Sequence, residues 1–333
     1  MRKFKQFDCP VTFMIEKLII ILNIMEPITH SFAGYFIGKV ITGYCQLESI
    51  RTPLLACSII ASNIPDFDSF LIFNKWTYIK YHRGPSHSIL FILPFALIIA
   101  FFFSVFLNKG NFYIFFFVSV VALLFHLFFD YINSYGTQLL YPLKEKRYAL
   151  DLNVIVDLYM LGILFTGYIA GHIYAGKMSP IALNTLVAVL FWILTLKLIR
   201  INALKKAKVL FKNSKNTLHI LPATGSLIKP WFVNIVTENK SNISLYSINT
   251  LKRTAEPFHI KTFTKKENER IILSKKLPEI KVFLSFSRFP VVEEIKNKII
   301  WRDLRFYQNN KSLGIAVEFD KGGKVTGNPE FKF

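Results

Sequence analysis

The chain has 333 residues, 41 Lys and Arg against 21 Asp and Glu, a formal charge of +20, and 52% apolar residues that include 34 phenylalanines. A disordered basic tail would be poor in aromatics, and a soluble nucleic-acid binder would carry its charge on a more polar chain, so composition excludes both. Apolar runs of bilayer length beside blocks of Lys and Arg instead describe a multispanning membrane protein with a basic extramembrane part. Cys9, Cys45 and Cys57 form neither a C-x-x-C nor a paired framework, which argues against a disulfide scaffold or a thiolate zinc site.

In chain order, residues 1–24 have a basic start and an apolar stretch interrupted by Glu16 and Lys17, with no small-x-small cleavage site. They read as a non-native or interfacial extension rather than a cleaved signal. Met25 opens the stretch MEPITHSFAG, the start of a membrane-embedded domain over 25–200. After an apolar helix over 53–64, four runs read as spanning helices: 88–107, 112–129, 154–174 and 180–199. Two short hairpin loops carry one lysine each, Lys109 and Lys177, whereas the opposite side carries Arg83, Lys144, Lys146, Arg147 and the segment RINALKKAKVLFKNSK. The positive-inside rule therefore puts that second side in the cytoplasm.

The basic residues are concentrated late in the chain: residues 200–333 hold 26 Lys and Arg against 11 Asp and Glu, while residues 1–199 hold 15 against 10. Residues 201–230 read as a basic linker lying against anionic headgroups. Residues 231–333 read as a β-rich cytoplasmic domain, from the short β-branched and aromatic runs WFVNIVTEN, ISLYSINTL, RIILSKKL, KVFLSFSRF, KIIWRDLRFYQ and LGIAVEFD. A hairpin is expected across 321–323. The fold class is thus a mainly α multispanning membrane domain followed by a small β-rich domain.

Histidine and aspartate carry the chemistry. The segments THSFAG, NIPDFDSF, YHRGPSHS and HLFFDYINSYGT bring His30, Asp66, Asp68, His82, His87, His126 and Asp130 into the first 130 residues. Imidazole plus carboxylate without thiolate suits zinc, manganese or iron. His126 and Asp130 stand four apart, on one helical face and among Phe and Leu, where ionisable groups mark functional sites. A self-satisfied His–Asp hydrogen bond is the plainer alternative for that pair. Gly84 and Pro85 break any helix between His82 and His87, so a turn can return both imidazoles to one point. Arg83 between them suits a phosphate or a carboxylate. Pro65 ends the helix before Asp66 and Asp68, a D-x-D that is as often a solvated turn as a metal site. His30 alone reads as a packed histidine. The positions of these groups at helix ends on one membrane face favour a shared metal.

These segments, with the late SRFP and WRDLRF, resemble the YdjM-like family of membrane-bound, metal-dependent hydrolases, also described as LexA-binding inner-membrane hydrolases. The resemblance covers most of the chain from Met25 onward, and HRGPSHS followed by H-x-x-x-D is its most specific part. It implies His30, Asp66, His82, His87, His126 and Asp130 as metal positions, with Asp68 less secure. A more distant likeness to zinc-dependent phospholipases C implies phosphoester chemistry, although their further ligands have no counterpart here. Two functional readings follow. In the first, the protein is a membrane-bound hydrolase of a lipid or lipid-linked phosphoester, with zinc (or manganese or iron) activating water, Asp68 as base and Arg83 stabilising negative charge. In the second it is a non-enzymatic membrane protein with a structural metal, whose basic C-terminal domain binds a regulatory protein or anionic lipid. Nucleic acid ranks low as a partner because no aromatic-and-glycine RNA motif is present.

Overall fold

The structure, a computed structural model, describes residues 11–71, 74–107, 111–154, 157–212, 217–223, 228–252, 257–307 and 312–332. Residues 1–10 of the N-terminal extension, Lys109 and Lys215 lie outside the described residues. The helical part comprises α1 (Val11–Tyr44), α2 (Arg51–Ala61), the short α3 (Asp68–Leu71) and α4 (Lys75–Tyr81), then α5 (Ile89–Phe106), α6 (Phe112–Ile132), α7 (Leu158–Ile173) and α8 (Met178–Leu210). The backbone of residues 11–24 is a continuous part of α1.

α1 and α2 pack antiparallel at unusually close range. A Cβ on Gly34 would lie 2.7 Å from the Ser58 carbonyl oxygen and 2.9 Å from the Ile59 Cα. Ser58 Oγ donates to the Gly34 carbonyl at 2.7 Å across the same contact. Gly34 and Gly38 form a small-xxx-small face of the kind that lets two helices meet in lipid. One apolar core joins α2, α5 and α6 around Leu54, Cys57, Ala96, Phe103, Phe115 and Ala122. A second joins α1, α6, α7 and α8 around Phe36, Phe129, Leu164, Ala182 and Val189.

Among the described residues, three helical stretches are long and apolar enough to cross a membrane: Ile89–Phe106, Phe112–Ile132 and Ala175–Leu210. The expected span over 154–174 is the shorter apolar helix α7, because Asp157 caps it by accepting from the amides of Tyr159 and Met160 at 3.0 Å each. α8 runs well past the expected boundary at residue 200. At about 1.5 Å per residue it is roughly 50 Å long against a hydrocarbon core of about 30 Å, so its end stands clear of the bilayer. There Ala203 and Ala207 pack on Ile220, Val233, Ile235 and Ile248. The segment read as a linker is therefore corrected to a helix end followed by the first strand, held by an apolar contact that lysine-rich composition concealed.

The C-terminal part contains two antiparallel sheets. The first orders β1 (Thr217–Pro222), β2 (Phe232–Glu238), β3 (Asn242–Asn249) and β4 (Phe258–Thr264) in sequence. Between the sheets lie α9 (Glu269–Lys275) and α10 (Pro278–Phe286), and the second sheet orders β5 (Pro290–Ile295), β6 (Lys298–Asp303), β7 (Gly314–Phe319) and β8 (Val325–Lys332). The β7–β8 hairpin turns at 320–324 as its sequence predicts. RIILSKKL and KVFLSFSRF, read as strands, are instead α9 and most of α10. Asn268 caps the Ile271 amide at 2.9 Å, Pro278 occupies the first turn of α10, and Ile280, Phe283 and Phe286 repeat every third residue on the buried face.

Candidate metal centre

Each residue of the site comes from a place where a helix is interrupted or ends. Pro65 stops the apolar helix and starts a 3-10 turn over Ile64–Phe67 that turns Asp66 inward. A second 3-10 turn, Pro85–His87, follows Arg83, whose φ of +54° lies in the left-handed region. At Gly84 a Cβ would sit 2.6 Å from the Tyr81 carbonyl oxygen, so the chain reverses here only with glycine. His126 and Asp130 project from the last two turns of α6.

Asp66, His87, His126 and Asp130 each bring one ligand atom within 4.8 Å of all the others, and all four side chains are buried. His87 Nε2 lies 3.1 Å from Asp66 Oδ1 and 3.2 Å from Asp130 Oδ2. His126 Nε2 lies 3.5 Å from Asp130 Oδ2 and 3.9 Å from Asp66 Oδ1. Ligand atoms about 2.0–2.1 Å from a tetrahedral zinc stand roughly 3.3 Å apart, so the spacing fits a single divalent ion.

The rest of each imidazole is already committed. His126 Nδ1 donates to the Ser62 carbonyl at 2.8 Å. His87 Nδ1 meets Ser86 Oγ at 2.9 Å and Asp68 Oδ2 at 3.5 Å. Such back-bonding fixes the tautomer that offers Nε2 to a metal. Asp66 Oδ2, His126 Nε2 and Asp130 Oδ2 are buried without a hydrogen-bond partner, a costly state for polar atoms that a cation would relieve. The donor set fits zinc, manganese or iron.

The other expected residues surround this group. His30 Nε2 stands 3.5 Å from Asp130 Oδ1 and 3.9 Å from Asp66 Oδ2, and its ring packs on that of His126 with centroids 4.0 Å apart. His82 is outside the group of four, and its Nδ1 pairs with Asp68 Oδ1 at 2.8 Å. Asp68 also accepts from Ser86 Oγ at 2.7 Å and thereby holds the His87 side of the site. Arg83 is buried: Nη2 lies 3.0 Å from Asp130 Oδ1 and pairs with Glu26, and Nη1 donates to Asn133 Oδ1 at 2.9 Å. Sequence reading missed Glu26 and Asn133. The E-x-x-x-H spacing of Glu26 and His30 on α1 was the available signal for the first. Two further buried aspartates are engaged by other partners: Asp157 caps α7 and accepts from Trp192 Nε1 at 2.8 Å, and Asp151 pairs with Arg288.

The charges outside the spans balance locally. Burial alone would raise Asp66, but the His126 and His87 imidazoles hold its carboxyl below the usual range. Burial likewise opposes ionisation of Asp68, and hydrogen bonds to His82 and His87 outweigh it, again lowering the carboxyl. Burial lowers His82 despite its partner Asp68. For His87, burial works downward but the hydrogen bonds to Asp66 and Asp68 win, raising it to about 9. Without a metal, protons and Arg83 thus provide the positive charge that the carboxylates require. On the far side of His30 and Asp130, a cavity of about 20 Å³, lined also by Glu26, Asn133, Asn153 and Asp157, has room for about one water.

No solved structure matches the chain. "Uncharacterized protein YfhP" of Bacillus subtilis (strain 168) is 30% identical over 132 residues, which are 38% of this chain and 40% of that protein. The chain thus aligns with less than half the length of that relative. The profile of the YdjM inner membrane protein family matches residues 25–203, the span that contains Glu26, Arg83 and all of the candidate ligands. With more than half of its length matched, and with three helices among the described residues fit to cross a bilayer, the chain belongs to the YdjM inner membrane protein family.

Proposed function

We propose that the protein is a metal-dependent hydrolase acting at the membrane surface on a phosphoester of a lipid or lipid-linked molecule. The observation that carries this reading is the convergence of Asp66, His87, His126 and Asp130, with Nδ1 of both imidazoles tied back and with His126 Nε2 and Asp130 Oδ2, which face the other two residues, lacking hydrogen-bond partners. A divalent cation held there, zinc first with manganese or iron as alternatives, would supply Lewis-acid polarisation of a phosphoryl oxygen and acidify water toward neutral pH. The Asp68–His82 pair supplies a carboxylate-oriented imidazole, its ring 5.9 Å from that of His87, suited to taking up a proton. Arg83, committed to Asp130 and Glu26, offsets the charge of the carboxylates and holds Asp130 in place.

Position supports the substrate class. His87 immediately precedes α5 and Asp130 sits near the end of α6, so the site lies at the interfacial end of both helices. The outer face of α5 exposes Leu90, Leu93 and Leu97 to the bilayer, where an acyl chain would lie. The exposed lysines Lys144, Lys146, Lys205, Lys208 and Lys212 support a cytoplasmic site and C-terminal part.

A structural metal with no catalysis is the second reading, favoured by the burial of all four ligands. The test is metal analysis of detergent-purified protein together with hydrolysis of bis(p-nitrophenyl) phosphate and of phospholipid in mixed micelles. Chelator-sensitive hydrolysis that disappears in His126→Ala supports the enzyme. Stoichiometric metal with no hydrolysis of either substrate selects the structural reading, and protein that binds no metal removes both.

A further inference from the structure

The late motifs SRFP and WRDLRF lie outside the metal centre, yet both end in contacts with the segment that leaves it. Arg305 is among the largest fully buried side chains in the protein. Its Nε and Nη2 grip Asp303 Oδ2 at 2.9 and 2.5 Å, and Ser287 Oγ donates to the same oxygen at 2.7 Å. The guanidinium also reaches past Asp303, and its Nη1 leaves the domain's own fold. Nη2 reaches the Phe286 carbonyl at the end of α10 at 3.1 Å, while Nη1 reaches the Ser134 carbonyl at 3.1 Å and the Tyr135 carbonyl just beyond α6.

From Ser134 and Tyr135 the contacts continue into the site. The Tyr135 amide donates to Asn133 Oδ1 at 2.9 Å, and Arg83 Nη1 donates to that same oxygen at 2.9 Å. Arg83 Nη2 then meets Asp130. The Tyr135 ring is packed between the two parts, 5.0 Å from the Arg83 guanidinium and 5.1 Å from the Phe286 ring centroid. Alongside, Arg288 pairs in bidentate fashion with Asp151 at 2.5 and 2.9 Å. Every link is buried or nearly so, and a planar guanidinium with five fixed donors is the side chain suited to fastening a carboxylate and two backbone segments at once.

We propose that Arg305 is a positioning residue of the metal centre: with Asp303 it clamps residues 134–135 so that Asn133 holds Arg83 against Asp130, which makes the C-terminal domain a working part of the site. The proposal rests on the reading of Asp66, His87, His126 and Asp130 as a metal site. Loss of the clamp frees the last turn of α6 and its exit and so loosens Arg83, the group that bonds directly to Asp130; disturbance of such a direct partner of a ligand typically lowers affinity by about 10–100-fold, and the indirect effect of Arg305 lies at the low end of that range.

The experiment compares full-length wild type, Arg305→Lys and Ile299→Ala in detergent, measuring zinc affinity by competition with a chromophoric chelator, thermal melting, and hydrogen–deuterium exchange over 126–136. Arg305→Lys keeps the charge beside Asp303 but cannot serve that carboxylate and both backbone segments together. It should lower zinc affinity about tenfold and speed exchange over 130–136. Ile299→Ala opens the second sheet's core, away from the clamp, and should lower the melting temperature with zinc affinity unchanged. Unchanged affinity and exchange in Arg305→Lys overturn the proposal, as does an equal loss of zinc in Ile299→Ala. If wild type binds no zinc, manganese or iron, the metal reading falls, and exchange over 130–136 alone decides whether Arg305 orders the end of α6.

Discussion

Arg83 Nη2 and Asp130 Oδ1 meet at 3.0 Å where each side chain is only 1% exposed, and the same guanidinium pairs with Glu26 from α1. The pair joins the turn that carries His87 to the helix that carries His126, so charge balance and ligand placement depend on one side chain. Its backbone, at φ +54°, stays in a region that costs a non-glycine residue about 1–2 kcal/mol.

Removing that cation should therefore be felt in folding. Arg83→Met leaves Glu26 and Asp130 buried without it, and breaking a buried pair costs about 3–5 kcal/mol. The metal-free variant should melt markedly lower than wild type, and added zinc should recover part of the loss by restoring positive charge. An unchanged melt would mean that Arg83 does not offset these carboxylates.

Asp130→Asn keeps shape and one acceptor oxygen but removes a charge that faces both His87 and His126. Zinc or manganese affinity should fall by at least about tenfold. Equal metal content in wild type and variant, measured at limiting metal, would remove Asp130 from the ligand set.

Metal binding should release a proton. His87, raised to about 9 by its hydrogen bonds to Asp66 and Asp68 in spite of burial, is protonated at neutral pH in the metal-free protein. A cation takes Nε2 only after that proton leaves, so affinity should rise with pH until about 9. The sign for folding is opposite. A raised imidazole stabilises the metal-free protein below its ordinary value, and that contribution disappears as pH climbs through about 9. Calorimetric titration in buffers of different ionisation enthalpy reads the proton directly, and identical heats would contradict it.

Gly34→Val places a branched side chain where even a Cβ is 2.7 Å from a backbone oxygen of α2. The two helices must separate, which shifts Ser62 and with it the carbonyl that orients His126. Both thermal stability and metal content should drop. A variant that melts and binds zinc like wild type would show that α1 and α2 are free to move apart.

If the C-terminus is cytoplasmic, as the positive-inside rule applied to the lysines of α8 and of the loop before α7 predicts, a C-terminal alkaline phosphatase fusion should be inactive and a C-terminal green fluorescent protein fusion bright. The reverse pattern would place the site on the outer face.

The sequence by itself determined the apolar helices, the basic C-terminal part, the closing hairpin and the segments in which the candidate ligands lie. Each of these is written in local periodicity or in polar residues set among apolar ones: HLFFD holds both its groups on one helical face whatever surrounds it. Local pattern also misled. RIILSKKL has the composition of a strand but folds as a helix, because Asn268 caps it and its buried face repeats at helical spacing. Only the tertiary structure decided which imidazoles face one point. His82 and His87 flank the same turn, yet Asp68 claims Nδ1 of His82, while the cluster receives Nε2 of His87. Nor could spacing reveal that Arg83 faces Glu26 and Asp130, or that Arg305, 222 residues further along, fastens the end of α6. Those contacts join residues distant in sequence, and burial makes them energetically decisive: a charge removed from water must find its partner wherever the fold brings one.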